Sequence, residues 1–575
     1  MNESSATLIS KARLFGDYFE FDVYNDDKQE KRTAAIAAFN NNFVVAVPPG
    51  ISSLRTILQG RVSINLKIHQ RMMAHDYKSV NLTILGGEDL TTLEDAFKEL
   101  YDIDVLDLSR IESHKIKVLD RAFKNIRVGT IKFGDIDFHK VKSIVRAFDQ
   151  AHVDELDLSS MKSEVKFKAS ELFQLAKIRK LKINNDAFKN CDYLDSAFEC
   201  AEIDELDITG MNVSTVTNAE GLFNGTKITS MIGYDTLRFE NVDSIKGMFQ
   251  KFKCDKLDVS NICTDRVLSL DYMFLGFEGE ITGIEQWNTS LVDSMNSVFA
   301  DAKVRNIDVS GWNFSRVTDI KEMFRGITAD TVKMNNITFP SVSYAMNLFR
   351  EAKIRELYFN NNTFHVLDKL ISTFSRMENS ILHIENLRAE VLITLDCTFT
   401  KIKSDTGIDI STWVIPNLVC FDTTFAYADV PYINLSNLKL DKLAAIKRIF
   451  NDCATMSENI NFEGFEAKHL IIFLHSFVEL HGERLDMSWL VGERLEQTIA
   501  MFKKCHVKNI DLINFKPQEA YRLDTDQMFD SCESMVKTIA GELDARDYRI
   551  TNTLMNSIEK ELRDERLRSI QGEET

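Results

Sequence analysis

One apolar position recurs along most of the chain. It runs from Phe97, Phe123 and Phe148 through Phe299, Phe324 and Phe349 to Phe477, Phe502 and Phe529, making eighteen phenylalanines spaced 25 to 27 residues apart. Other apolar residues keep step with it. The third residue after the Phe is usually small or apolar, as at Ala151, Ala176, Ala302, Ala352, Cys453, Cys505 and Cys532, and the fourth before it is Leu93, Leu119, Ile144 or Ile320 in its respective rung. Positions i−4, i and i+3 share one helix face, so this spacing predicts a short amphipathic helix or helical turn around each Phe. Further on comes an apolar, polar, apolar triplet such as Leu106-Asp107-Leu108, Leu206-Asp207-Ile208 or Ile307-Asp308-Val309. Period two predicts a strand with one buried side. A Ser, Thr or Asn often follows, as at Ser109, Asn184, Thr209 and Ser310, and suits the chain's turn out of the strand.

Each unit is therefore expected to be helix, connection, strand and turn. A lone unit of that size buries too little surface to stand by itself. The expected fold is an α/β repeat solenoid of about eighteen 25-residue helix-strand units, with one long parallel sheet, a second layer of helices and the Phe column as shared core. Periods of about 20 to 29 residues with one strand per unit mark leucine-rich-repeat solenoids. One elongated body, on the order of 85 Å long, is expected from about 4.8 Å per rung.

Three regions are expected: a cap at 1–79, with a separate binding module as the alternative, the solenoid at 80–535, and a capping helix at 536–575, with a partner-docking helix as the alternative. In the first, Phe19–Val23 and Ile64–Ile68 alternate like strands, and Val47-Pro48-Pro49-Gly50 reads as a strand end and turn. In the last, Leu554, Met555, Ile558 and Leu562 give a helix one apolar face. Open solenoid ends need such atypical units, and an uncovered end would permit end-to-end self-association.

Charge narrows the partner. With 69 Lys and Arg against 87 Asp and Glu the net charge is −18, the wrong sign for a broad nucleic-acid or anionic-lipid footprint. The first twenty residues show no secretory signal, and no apolar run approaches the roughly 20 residues of a membrane helix. Nine scattered cysteines with no Cys-x-x-Cys argue against a disulfide framework or zinc ribbon. A cytoplasmic protein with reduced thiols is expected, with a virion or surface location as the alternative.

The stretch Trp287-Asn288-Thr289-Ser290, Val292, Met295, Val298-Phe299, followed by Ile307-Asp308-Val309-Ser310-Gly311-Trp312-Asn313 and Met323-Phe324, resembles the BspA-type leucine-rich repeat of mycoplasma and lactobacillus surface proteins. The match is specific over about 256–330 and looser over the rest of 80–535. The resemblance implies a solenoid used for adhesion or protein binding, with no catalytic residues to carry across. It also implies that Trp287, Trp312, Trp413 and Trp489 occupy the family's Trp position, where the plain expectation is a packing role.

No phosphate-binding loop, zinc-protease motif or calcium loop is present. His469, His475 and His481 are six apart, and the acidic group Asp135, Asp137 lacks a calcium loop's Gly and terminal Glu. No cofactor, metal or catalytic residue is expected. Cys453, Cys505 and Cys532 fill a slot that Ala takes elsewhere and are expected to be buried packing residues. The remaining surface is the outward row of the strands. Asp107, Lys132, Asp157, Lys182 and Asp207 alternate in sign, which predicts an ion-pair ladder. Tyr358 and His383 break that row, and with Glu356, Tyr432 and Asn434 they form the expected contact patch for another protein or protein assembly. The function expected is a non-enzymatic protein-binding or scaffold solenoid; the alternative is a structural or adhesive component of a virus particle or cell surface.

Overall fold

A computed structural model describes residues 18–24, 31–55 and 61–571, apart from 135, 184, 540 and 548. Asp135 and Asn184, singled out above, lie outside the described residues. The chain groups into two compact units, Met1–Ser269 and Leu270–Thr575.

Each unit is a β-solenoid, with about eighteen turns between the two. The expected α/β solenoid of helix-strand units is not what forms: among the described residues of 93–535 no α-helix occurs. Backbone hydrogen bonding gives the reason. Around Phe324, the N–H of Met323 donates to Ile320 and that of Ile327 to Phe324, at 3.3 and 3.2 Å. These are two successive four-residue turns. The third residue of each is left-handed, Glu322 at φ +56° and Gly326 at φ +65°, as a type II turn requires. The N–H groups of Glu322, Phe324 and Gly326 donate out of the rung, to the carbonyls of Met346, Leu348 and Arg350. A helix would have kept those bonds inside the segment. Positive φ two residues before and two after the Phe recurs in all eighteen rungs, from Asp95 and Glu99 to Gln527 and Ser531.

Between corners the chain makes up to three short strands. In one turn they are Lys353–Tyr358, Thr363–Phe364 and Lys369–Ile371, each paired in parallel with its counterpart one turn on or back. The expected single parallel sheet is therefore divided. In the first unit a ten-stranded sheet runs from Tyr18–Tyr24 to Lys227–Ile232 and opens with antiparallel pairs. The second unit contains a five-stranded sheet from Asn306–Asp308 to Lys403–Ser404, further three-stranded ladders, and a four-stranded sheet closed by the antiparallel strand Gly541–Asp544.

The Phe column fills the interior. Neighbouring rings stack at 5.4 Å for Phe299 and Phe324 and 5.2 Å for Phe324 and Phe349, with planes 6° and 7° apart. Trp287, Trp312 and Trp413 are buried against it, which fits a packing role. Near the N-terminus, Tyr18–Tyr24 is a strand as its alternation predicts, and Asn42–Val47 ends in the Pro49-Gly50 turn. Ile64–Ile68, by contrast, lies inside helix α1 (Arg61–His75), where 15 residues of helix override a five-residue alternation. Helix α2 (Ile550–Gln571) buries Leu554 and Ile558 completely.

Candidate functional site

Strands Lys353–Tyr358 and Glu378–His383 pair in register, with Tyr358 opposite His383 and Glu356 opposite Ile381. Equal register and period two put these side chains on the outer face together. Tyr358 and His383 lie ring on ring, 4.5 Å between centroids and 15° between planes. The Tyr358 hydroxyl donates to Glu356 Oε1 at 2.6 Å, and His383 Nε2 lies 3.7 Å from the same oxygen. That hydrogen bond holds the Glu356 carboxyl below its ordinary range and pushes the Tyr358 phenol above its own. The ammonium of Lys333 lies 5.6 Å from the centre of the Tyr358 ring, on the side away from His383 in strand order. A groove of about 340 Å³, lined by Asn306, Asp308, Thr331, Lys333, Glu356 and Tyr358, runs beside the cluster.

Tyr432 and Asn434 do not join it. Asn434 belongs to a separate three-stranded ladder with Ile408–Asp409 and Ile460–Asn461, and there its amide donates to Asp409 Oδ2 at 3.0 Å. Tyr432 is 45% exposed and lays its ring over Gly407, where a Cβ would stand 2.4 Å from the ring carbons. The five residues of the expected patch thus separate into a joined group of three and a pair elsewhere.

The ion-pair ladder does not form from its expected members. Asp107, Asp157, Asp207, Asp308 and Asp409 instead accept the backbone N–H two residues on, at 2.8 to 3.0 Å, and so hold the chain as it leaves the strand. Ion pairs between rungs are built a few residues earlier in the strand, by Lys177, Glu202 and Lys227 and by Glu155 with Arg179.

Three features escaped the sequence reading. Ile393, Val419, Ala444 and Ile471 stack by backbone bonds of 2.9 Å into an apolar row, with Ile393 40% and Val419 39% exposed. Asn362, fully buried, donates to the carbonyls of Met334 and Phe359 and accepts from the N–H of Ile337. Lastly, a groove of about 680 Å³ opens beside Trp489, Phe462, Phe465 and Arg484. Trp312 and Trp413 donate their indole N–H to the carbonyls of Ile284 and Ile384, whereas the buried Trp489 Nε1 has no partner among the described residues. The 27-residue step from Phe450 to Phe477, which admits the extra turn Ser457–Asn459, was the available signal.

Among the described residues no group of three or more His, Cys, Asp or Glu is arranged to hold a metal ion, and no helix is long and apolar enough to cross a membrane. No curated protein and no solved structure matches the chain. A family model matches it four times in overlapping stretches, 117–236, 192–281, 243–362 and 359–465, which together cover more than half of its length. On that repeated match the chain belongs to the family described as Mycoplasma protein of unknown function, DUF285.

Proposed function

We propose that the chain is a non-enzymatic binding solenoid that engages a protein partner through the outer strand face around Glu356, Tyr358 and His383. The observation that carries this reading is the stacked Tyr358–His383 pair, held by the Glu356 hydrogen bond while still reachable from solvent. Rings fixed before association lose little conformational freedom on contact, which favours them as anchors. The exposed apolar row at Ile393 and Val419 supports a protein partner over a small or highly charged one. Shared motifs with BspA-type surface repeats support binding over catalysis, and they favour, as a second reading, an adhesive role at a cell surface. Nine scattered cysteines with no Cys-x-x-Cys favour the cytoplasm.

The test is Tyr358→Ala with His383→Ala in one chain, followed by cross-linking and pull-down from the source cells. Loss of a partner that the wild type retains, with circular dichroism unchanged, is the expected result. Full retention would reject this patch. Intact-cell labelling of the chain from outside would decide between the two locations.

A further inference from the structure

The corner of the last rung brings two thiols together. Phe502 and Phe529 stack at 5.3 Å, and Cys505 and Cys532 each follow their Phe by three residues. The Cys505 carbonyl accepts the N–H of Glu533 at 3.1 Å, which fixes the two corners side by side. Both thiols are buried, and Cys532 Sγ lies 3.2 Å from Ser534 Oγ. Cys453 occupies the equivalent slot three rungs earlier, where its neighbours are Ala428 and Leu480 and no second thiol is present.

Their chemistry differs accordingly. The Cys505 thiol donates to the Leu480 carbonyl at 3.7 Å, and its closeness, aided by Ser534, draws the Cys532 thiol down to about 7 in spite of burial. The same closeness, with burial, pushes Cys505 up, and burial takes Cys453 to about 11 against the opposing hydrogen bonds of Thr455 and Ala428. Cys532 also borders a groove of about 620 Å³ between this last corner and the segment leading into α2, lined in addition by Gln527, Asp530, Arg546 and Asp547. No further rung covers it on that side.

We propose that Cys532 is a site of thiol–disulfide exchange, entered from this groove, with Cys505 as its resolving partner. The co-reactant is a low-molecular-weight disulfide. The Cys532 thiolate attacks one of its sulfurs, forming a mixed disulfide and releasing one small thiolate, which takes up a proton. Cys505 then loses its proton and attacks Cys532 Sγ, displacing the second small thiol. The protein has lost two thiol hydrogens, and the small disulfide has gained them as two thiols. Adjacent rungs about 4.8 Å apart lie within the Cα separation that a disulfide spans.

The experiment treats the reduced full-length chain with oxidised glutathione near neutral pH, then maps peptides by mass spectrometry without reduction. A linked Cys505–Cys532 peptide is expected, and in Cys505→Ala, which installs the commonest residue of that slot, a glutathione adduct on Cys532. In the untreated chain, alkylation of Cys532 should exceed that of Cys453 roughly a hundredfold, since its larger thiolate fraction is partly offset by weaker nucleophilicity. Absence of both the link and the adduct, with Cys532 alkylated no faster than Cys453, would overturn the proposal. So would adducts that appear on Cys453 and Cys532 alike.

Discussion

Phe299 and Phe324 are separated by a whole turn of chain, yet their rings lie 5.4 Å apart and only 6° from parallel. Phe324 is fully buried and holds the same relation to Phe349, so its ring touches the core on both sides. Phe324→Ala is expected to cost about 3 to 5 kcal/mol, through lost transfer energy and the cavity left behind. Repeats contact only their neighbours, so hydrogen exchange should rise around residues 299–352 and stay unchanged near 500. An equal rise at both places would contradict this.

Left-handed backbone at the corners gives a second prediction. Leu175 has φ +58° with its side chain 49% exposed, so Leu175→Gly removes strain at small cost in burial. A gain of about 1 kcal/mol is expected from the urea midpoint. Gly233→Ala should act oppositely. Its φ is +86°, and an added Cβ would meet the backbone N and Cα of Thr209 at 2.4 Å, so a loss above about 2 kcal/mol is expected.

Asn362 satisfies three buried backbone groups at once. Asn362→Ala orphans all of them, and at about 1 kcal/mol or more for each group a loss of about 3 kcal/mol or more is expected. Thermal unfolding of the variant against the wild type would measure it.

Glu202 bridges Lys177 and Lys227, each at 2.8 Å, and these bonds hold its carboxyl down at about 2 from an ordinary 4.5. A folded-state value below the unfolded one stabilises above the unfolded value and is lost as pH falls through the folded one. The contribution should therefore fade between about pH 4.5 and 2. At 41% exposure it is worth at most about 1 kcal/mol and should weaken in salt. Urea midpoints of wild type and Glu202→Gln should converge toward the acid end of that window. A difference between them that does not change with pH would reject the bridge.

The rung spacing, the strand triplets and the buried Trp positions were legible because side-chain burial repeats with the chain. The helix was misread for a physical reason. Apolar residues at i−4, i and i+3 face one way both on a helix and across two consecutive type II turns, and residues such as Arg121, Glu171 and Lys401 carry no sign of the left-handed backbone they adopt. Gly221 and Gly225 around Phe223, Gly276 after Phe274 and Gly326 after Phe324 were the visible signal, since glycine recurs at those positions alone within the corner. At the site, register put Tyr358 beside His383 as the row arithmetic expected. Tyr432 and Asn434 were placed with them because equal spacing in sequence does not reveal where a ladder breaks.

The double turns also give the stack a direction. In the corner around Phe324, alternate N–H groups point toward the following rung and find its carbonyls, those of Glu322, Phe324 and Gly326 among them. Gln527, Phe529 and Ser531 occupy the same positions in the last rung, which has no successor. The last corner of the second unit is therefore the donor end of its own stack. A thiolate at Cys532 lies at the donor end.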